Sequence, residues 1–357
     1  MKIQSLGIFM VLAFAAPSWV TAQTTNSPAK PMSPAPLAPL PENPDSAMAQ
    51  ARQMNGFDES GAKSWHIRAK YEVYDTDGDN VDSGVYEEIW KGPKRYRRSY
   101  TGPDFTQTDY ASAKGLYRSG NQEWLKGPVG MVRRLVVEPF DYLGSDPQTS
   151  LKRKIRNFNQ MHFVCLVKAN STMQIIRAPE MEAYPQDCLD PDKPILRMAL
   201  RPGFSQGVIW NNTALFQGRF VARDIKFSQF GKVMLTIHLE LIEEVAAEGD
   251  EPFVPAAEAK GPLVGRIQGD MSMTNVLNAA RPVYPAVAQE HHVQGKVTMQ
   301  VTVGKDGSVI DVKVLSGPSL LQDAAVEAAR KWRFEPMRVM GDAVEMDLKL
   351  EIGFNLT

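Results

Sequence analysis

Hydrophobic and polar positions alternate regularly through the C-terminal part of the chain. In 297–303 every second residue is apolar, which is the period of a strand with one buried face. Glycine and aspartate in 304–307 then favour a tight turn, because both accept a positive φ at little cost. The alternation resumes in 310–314. A last strand is predicted from apolar residues that share one face: Val344, Met346, Leu348, Leu350, Ile352, Phe354 and Leu356.

A helix is predicted between the second and the last of these strands. Ser319 followed by Gln322 has the spacing of a capping box, in which each residue satisfies a backbone N–H of the first turn. The apolar residues after that point recur at helical spacing and form one stripe. Its members are Leu321, Ala325, Ala328 and Trp332. The region is therefore predicted to be a small β-β-α-β unit, with one face of the sheet packed against the helix.

The central region also shows strand-like alternation, in many shorter segments. The first of them has apolar residues at every second position from Trp65 to Val73, and it is followed by a turn-rich segment, 75–80. Another alternating segment spans 233–241. Many strands joined by short Gly/Asp turns favour a large antiparallel sheet, curved or partly closed. The predicted fold class is α+β, with a β-rich, open-barrel-like central domain and a small C-terminal β-β-α-β domain.

Composition sets the expected domain boundaries. Lys2, the apolar run 7–16 and the small residues at Val20-Thr21-Ala22 have the pattern of a secretory signal peptide. An uncleaved membrane anchor is the alternative, although Pro17 interrupts the run and a span needs about 20 apolar residues. The expected organisation is a signal peptide (1–22), a Pro-rich linker (23–60), a β-rich domain (61–245), a second linker (246–270) and a C-terminal domain (271–357).

Charge and cysteine content restrict the chemistry. The formal net charge of −1 gives no general attraction to nucleic acid. The two cysteines, Cys165 and Cys188, are compatible with one disulfide in an oxidising compartment, or with two buried free thiols. The five histidines are scattered, so we expect no metal site, and nothing in the composition calls for a cofactor.

Three short sequence motifs carry a family resemblance at the C-terminal end. Tyr284-Pro285, the Asp306-Gly307 hairpin and the Trp332-Arg-Phe-Glu-Pro string occur in the order found in the TonB C-terminal domain. The resemblance covers about 275–357. It implies a periplasmic protein that docks the TonB box, a short extended peptide of outer-membrane receptors, by adding it as a strand to a sheet edge. That activity serves energy-coupled transport across the outer membrane.

The resemblance also implies which residues meet the partner. The contact candidates before the hairpin are Arg281, Pro282, Tyr284 and Pro285, and those on the final strand are Leu348, Leu350 and Ile352. Family members usually have Gln at the position of Arg281, which leaves receptor choice open. Alternatively, Tyr284, Trp332 and Phe334 are simply core residues. An exposed final strand could also pair with a second copy in a homodimer.

Energy coupling in the family depends on the N-terminal anchor. The anchor of TonB usually carries a Ser and a His that engage the proton-channel proteins ExbB and ExbD; here Ser5 is present but no His follows. A cleaved chain would lie in the periplasm without that link. A retained N-terminus would make the protein inner-membrane anchored, with ExbB and ExbD as partners.

The strand rhythm of the central region is similar to that of lipoprotein carriers such as LolA and LolB. This resemblance implies that apolar residues on the inner face line a cavity for a lipid ligand; the alternative is that they are filled core. The second functional hypothesis is therefore a periplasmic lipid or lipoprotein carrier that uses the TonB-like domain as an interaction module. Both hypotheses describe binding proteins, and we expect no enzyme activity.

Three other motifs have simpler explanations. Asp75, Asp77 and Asp79 match the start of a calcium loop, but the later ligand positions do not fit, so a hairpin turn is expected. Ser205 lies in a G-x-S-x-G string that a helix should follow in a hydrolase, and the next residues do not favour a helix. The basic run 91–98 is expected to be a solvated sheet face, with Glu87 and Glu88 as cross-strand partners.

Overall fold

A computed structural model describes most of the chain from Pro39 onward. The described residues are 39–57, 59, 63–140, 150–158, 161–168, 185–201, 206–245, 249, 251–263, 265–271, 273–274 and 276–356. The predicted signal peptide, the Pro-rich segment up to Ala38 and Ser205 lie outside these residues.

The end of the expected Pro-rich linker is a helix, α1 (Pro44–Met54). Asn43 caps it, with its side-chain oxygen accepting the N–H of Ser46 at 2.9 Å, and Pro44 occupies the first turn, where a missing N–H costs nothing. Ala47 and Ala51 are fully buried in the central core. The linker prediction rested on the proline, alanine and serine content of 27–44, and α1 lies almost wholly beyond that stretch.

Twelve strands form the central sheet in the described part of the chain. They are β1 (Trp65–Tyr74), β2 (Asn80–Trp90), β3 (Tyr96–Thr101), β4 (Thr106–Ser112), β5 (Gly115–Gly120), β6 (Leu151–Phe158), β7 (Met161–Lys168), β8 (Gln186–Leu189), β9 (Leu196–Arg201), β10 (Gln206–Phe216), β11 (Arg219–Gln229) and β12 (Lys232–Glu244). The order is β5-β4-β3-β2-β1-β12-β11-β10-β9-β8-β7-β6, and all neighbours are antiparallel. β5 and β6 are its two edges, so the sheet is not a closed barrel.

One face of this sheet carries the main core. The alternating residues Trp65, Ile67 and Ala69 of β1 are fully buried there, as their period of two predicts. A second helix, α2 (Gly127–Val137), packs on this inner face, and the carbonyl of Leu135 accepts the indole N–H of Trp210 at 3.0 Å. Most of the inner-face apolar residues are therefore packed core.

Local features of the sheet explain two sequence motifs. The side chain of Asp75 accepts the backbone N–H groups of Asp77, Gly78 and Asp79, so the acidic cluster closes the β1–β2 hairpin as expected. Cys165 and Cys188 are direct cross-strand neighbours on β7 and β8, and they are joined by a disulfide.

The C-terminal domain has a second sheet and a second core. Its main elements are β15 (Gly295–Val303), β16 (Val309–Ser316), α4 (Ser319–Arg330) and β20 (Met346–Phe354), which confirm the predicted β-β-α-β unit. The shorter elements are β13 (Ile267–Gln268), β14 (Val276–Asn278), α3 (Ala286–Glu290), β17 (Arg333–Phe334), β18 (Arg338–Val339) and β19 (Asp342–Ala343). The sheet order is β13-β20-β15-β16.

The hairpin between β15 and β16 requires its glycine. Gly307 has a φ of 82°, and a Cβ at this position would lie 1.9 Å from the carbonyl oxygen of Phe334. Phe334 in turn donates its N–H to the carbonyl of Gly307 at 2.8 Å. This contact joins the Asp306-Gly307 hairpin to the motif that contains Trp332 and Phe334.

The predicted capping box of α4 is wrong. Pro318 is the N-cap residue, Ser319 is already in the first turn, and no side chain caps the helix. Gln322 instead donates its side-chain N–H to the carbonyl of Gly317 at 2.9 Å. Sequence spacing alone placed the start of the helix one residue too late.

The segment expected to be a second linker contacts the central sheet. Phe253 is buried, and the cationic groups of Lys91 and Arg95 lie 5.5 and 5.3 Å from its ring centre. Further on, Lys260 and Arg118 exchange two backbone hydrogen bonds of 2.8 Å. The described part of 246–270 therefore contributes an aromatic anchor and a β-bridge to the packed structure.

Candidate functional site

The final strand, β20, has a partly unpaired edge. On one side it pairs with β15 along its whole length. On the other side, among the described residues, only Met346 and Asp347 have a strand partner, which is β13. An unpaired strand edge presents backbone donors and acceptors to any extended segment that approaches it.

The free backbone groups of this edge can be assigned from the hydrogen bonds of β13. The carbonyls of Glu345 and Asp347 accept N–H groups from the β13 segment, so these odd-numbered residues direct their backbone groups outward. Because backbone direction alternates along a strand, Lys349, Glu351 and Gly353 also direct N–H and C=O outward. No strand in the described part of the chain pairs with them. Gly353 leaves open space where a side chain would stand.

The strand residues predicted as partner contacts do not present their side chains at this edge. Leu348, Leu350 and Ile352 are 2%, 3% and 5% exposed and pack in the second core, against the face that carries α4. Their alternation with polar residues is the signature of this burial. Docking on β20 is therefore available to its backbone and to the exposed side chains of Lys349 and Glu351.

Tyr284 brings the Tyr-Pro motif to the end of this strand. Its ring meets that of Phe354 edge-on, with the centroids 5.4 Å apart and the planes at 85°, and its hydroxyl donates to the carbonyl of Val293 at 2.6 Å. Tyr284 is half-buried, so it joins the core and still borders the surface. Pro285 precedes α3 as its N-cap residue.

The segment around Tyr284 also exposes apolar surface that sequence reasoning did not single out. Val283 is 78% exposed and Val287 is 52% exposed, while Arg281 is exposed and Pro282 is half-buried. Among the predicted residues 281–285, Tyr284 contacts the end of β20 through Phe354. Phe334 is fully buried and Trp332 is half-buried, with its indole N–H donated to the carbonyl of Ala280.

A second candidate site is a cavity of about 590 Å³ between the central sheet and the C-terminal domain. Its floor is the inner face of β2 to β5, and α2 contributes a wall. Residues of the C-terminal domain complete the lining: Met273, Thr274, Leu277, Glu335, Pro336, Met337, Arg338, Met340 and Gly341. A volume of this size is in the range of small-molecule sites, which is about 300–1,000 Å³.

A row of charged residues of alternating sign crosses the sheet here, and Arg98, Asp109 and Arg118 of this row line the cavity. Glu88, Arg98, Asp109 and Arg118 are register partners on four successive strands. Arg98 donates to Glu88 at 2.8 Å, and Arg118 donates to both oxygens of Asp109 at 2.6 and 3.0 Å. Glu88 and Arg118 are fully buried.

This charge ladder corrects the interpretation of the basic run. Glu88 and Arg98 are cross-strand partners as expected, but they lie on the inner face and not on a solvated one. The alternation of β2 places Glu88 on the same face as Tyr86 and Trp90, both buried, which is the signal that could have revealed it. Each of these charges is paired, because an isolated buried charge is very costly.

Arg133 of α2 connects the ladder to two further carboxylates. It contacts Glu88 at 3.2 Å, and its other guanidinium nitrogens contact the carboxyl groups of Glu59 and Glu138. Burial raises the pKa of Glu88, but the guanidinium groups of Arg98 and Arg133 outweigh it and hold that pKa below the ordinary value. Burial, reinforced by nearby Glu138, raises the pKa of Glu59 well above its ordinary value in spite of Arg133.

Several buried polar atoms of the cavity lining have no hydrogen-bond partner in the described structure. They are the indole Nε1 of Trp90, the Nε of Arg98 and the side-chain oxygen of Gln107. Unsatisfied buried polar groups are uncommon in folded proteins and call for an explanation such as a bound molecule or water. Two donors and one acceptor of the lining residues thus lie buried and unsatisfied just beneath the surface of the cavity.

The comparisons with known proteins assign the C-terminal domain. Residues 280–356 match the family model of the Gram-negative bacterial TonB protein C-terminal. The TonB protein of Pseudomonas aeruginosa is 45% identical over 65 residues, 18% of this chain and 19% of that protein. The solution structure of the Pseudomonas aeruginosa TonB C-terminal domain is 29% identical, covers 25% of this chain and 93% of its own, and gives a TM-score of 0.22.

The family model and the sequence relative identify residues 280–356 as a TonB-type C-terminal domain, as the motif order indicated. The chain spans 19% of the Pseudomonas aeruginosa TonB protein, so the relationship concerns this domain. The activity of the whole relative is not thereby assigned to this chain.

The central sheet has its own structural neighbours. A LolA superfamily protein from Nitrosomonas europaea is 10% identical, covers 60% of this chain and 98% of its own, and gives a TM-score of 0.37. Because the TM-scores of both structural neighbours are low, neither likeness supports a functional inference. In the described residues, no helix is both long and apolar enough to cross a membrane, and no cluster of His, Cys, Asp and Glu is suited to a metal ion.

Proposed function

We propose that this protein docks the TonB box of outer-membrane receptors by strand addition to β20. The observation that carries the proposal is the unpaired stretch of β20 in a TonB-type domain, with Lys349, Glu351 and Gly353 directing backbone groups outward. A strand that joins there gains main-chain hydrogen bonds, each with a net value of about 0.5–1.5 kcal/mol. Tyr284 contacts Phe354 at one end of β20, and in this proposal Tyr284 and the exposed Val283 next to it in sequence supply side-chain contacts.

Amide hydrogen exchange tests this proposal directly. On addition of a synthetic TonB-box peptide to the full chain, the amides of Lys349, Glu351 and Gly353 should become protected. The amides of Leu348, Leu350 and Ile352 already face β15 and should change little. Protection confined to another surface, or no protection at saturating peptide, would contradict strand addition at β20.

The proposed location is the periplasm of a Gram-negative bacterium, with transport across the outer membrane as the process served. The signal-peptide pattern of 1–22 supports export. Retention of these residues as an inner-membrane anchor would instead allow contact with ExbB and ExbD. The intact mass of the protein from soluble and membrane fractions distinguishes the two: a soluble species that starts at Gln23 is expected.

The second candidate function is a ligand carrier whose TonB-like domain serves as the interaction module. It is favoured by the cavity of about 590 Å³ and its buried polar atoms without partners. A floor that contains Arg98, Asp109 and Arg118 suits a polar ligand, or the polar head of a lipid, better than an acyl chain. Native mass spectrometry of the full chain should then show a bound small molecule that is released on denaturation.

Self-association is a third use of the same edge. Unpaired strand edges favour pairing between copies, so a homodimer through β20 would compete with receptor docking. Light scattering during size-exclusion chromatography measures the mass, and addition of a TonB-box peptide should return any such dimer to the monomer.

A further inference from the structure

A short segment of the chain itself already occupies the beginning of the docking edge. Residues 266–270, named here the strap, contain β13, which pairs in parallel with Met346 and Asp347. The N–H of Ile267 donates to the carbonyl of Glu345 at 3.0 Å, and the N–H of Gly269 donates to that of Asp347 at 2.8 Å. The strap thus pairs with the first outward-facing backbone groups of β20. The same row of outward groups continues at Lys349, Glu351 and Gly353.

Side-chain contacts also hold the strap against Met346 and Asp347. Ile267 is 2% exposed and belongs to the second core. Gln268 donates to the carboxylate of Asp347 at 2.7 Å, and Arg266 contacts Glu345 at 3.0 Å and Asp347 at 3.4 Å. These contacts explain why Asp347 is buried although it lies on the polar face of β20.

The other end of the strap is attached to the central domain. A side-chain oxygen of Asp270 accepts the N–H of Gly127, the first residue of α2, at 3.0 Å. An anionic side chain at a helix N-terminus is favourable, because the first N–H groups have no partner within the helix. Met273 and Thr274, which follow closely, line the cavity beneath α2.

We infer that the strap is a displaceable occupant of the docking edge that couples partner binding to the cavity. This inference rests on the proposed function. A partner strand that extends over Met346 and Asp347 needs the backbone groups that Ile267 and Gly269 use. Since two strands cannot hold the same edge, docking over this stretch releases the strap. Asp270 is then drawn from α2, and the cavity wall next to it loosens.

The geometry favours displacement of the strap by a partner segment over permanent pairing of the strap with β20. The strap pairs only two residues of β20, whereas a partner segment that runs from Met346 to Gly353 pairs several more. Longer strand pairing yields more main-chain hydrogen bonds, so the partner has the advantage once it is bound. Until then the strap covers the start of the edge and limits unspecific pairing there.

The test uses the full chain and a synthetic TonB-box peptide, with affinity measured by calorimetry. The double variant R266A/Q268A removes the polar side-chain anchors of the strap and keeps its backbone and Ile267. It should bind the peptide at least about tenfold more tightly than the unmodified protein. The matched control K313A removes one exposed positive charge on the same sheet and should bind within about twofold of the unmodified protein.

Hydrogen exchange on the same samples reports the coupling. Peptide binding should expose the amides of Ile267, Gly269 and Gly127, which are protected in the free protein. Equal affinity of R266A/Q268A and the unmodified protein, or unchanged protection of these amides in the peptide complex, would overturn the inference and leave the proposed docking intact. Failure of every form to bind the peptide would overturn the docking proposal and the inference together.

Discussion

The ring of Tyr284 meets the ring of Phe354 edge-on at 5.4 Å, which joins the Tyr-Pro motif to the end of the final strand. The hydroxyl of Tyr284 is also satisfied, by the carbonyl of Val293. One residue therefore contributes to the second core and borders the proposed docking edge. Its variants separate these two roles.

Replacement of Tyr284 by Phe should lower the free energy of unfolding by about 0.5–1.5 kcal/mol, the net value of one hydrogen bond. Replacement by Ala also removes the ring contact and should cost about 3–5 kcal/mol. Urea titration with hydrogen exchange of β20 as the readout measures both. Equal stability of the two variants would show that the ring does not support the strand.

Loss of a charge from the buried ladder should destabilise the protein much more than loss of a charge from the outer face of β2. Glu88→Ala leaves Arg98 and Arg133 without their shared partner, so it should cost about 3–5 kcal/mol of stability. Glu87→Ala is the matched control: its carboxylate is on the opposite face, where it contacts His66, and its loss should cost less than about 1 kcal/mol. Denaturant unfolding compares the two, and similar losses would contradict a structural role for the ladder.

The raised pKa of Glu59 predicts a pH dependence with a definite sign. The folded protein holds a proton on Glu59 more tightly than the unfolded chain does, so stability is complete below the ordinary carboxyl pKa of about 4.3. That contribution is lost as pH rises from there through the raised pKa, by up to about 1.4 kcal/mol per pH unit.

The comparison with Glu59→Gln isolates this effect. The difference in unfolding free energy between the variant and the unmodified protein should grow in favour of the variant from pH 5 to pH 7. Urea midpoints at three pH values in this window suffice. A constant difference would mean that Glu59 is ionised throughout, with Arg133 outweighing its burial.

Local sequence patterns predicted the C-terminal domain well, because the period of a strand and the chemistry of a turn depend on near neighbours. The alternation from Met346 to Phe354 identified the buried face of β20 correctly. The same pattern could not reveal that Asp347, on the other face, is buried by Arg266 and Gln268, since that cover comes from a distant part of the chain.

The central domain shows the same limit. Its strands and antiparallel arrangement followed from alternation and short turns. The alternation of β2 already placed Glu88 on the face of Tyr86 and Trp90, but its partner Arg133 comes from α2, and the sequence of the strand carries no information about α2. The contact candidates Leu348, Leu350 and Ile352 were chosen by motif position, although their alternation already indicated burial of the side chains.

The central claim is that a partner segment pairs with the outward backbone groups of β20. Glu351→Pro removes one outward N–H, and proline is tolerated on an edge strand when that N–H faces solvent. Glu351→Ala is its control, since it removes the same side chain and keeps the N–H. Calorimetry with a TonB-box peptide and the full-length variants should give affinity within about twofold of the unmodified protein for Glu351→Ala. For Glu351→Pro it should give a loss of about tenfold or more, which corresponds to about 1.4 kcal/mol. Equal affinity of the two variants, with both folded, would contradict docking by strand addition at this edge.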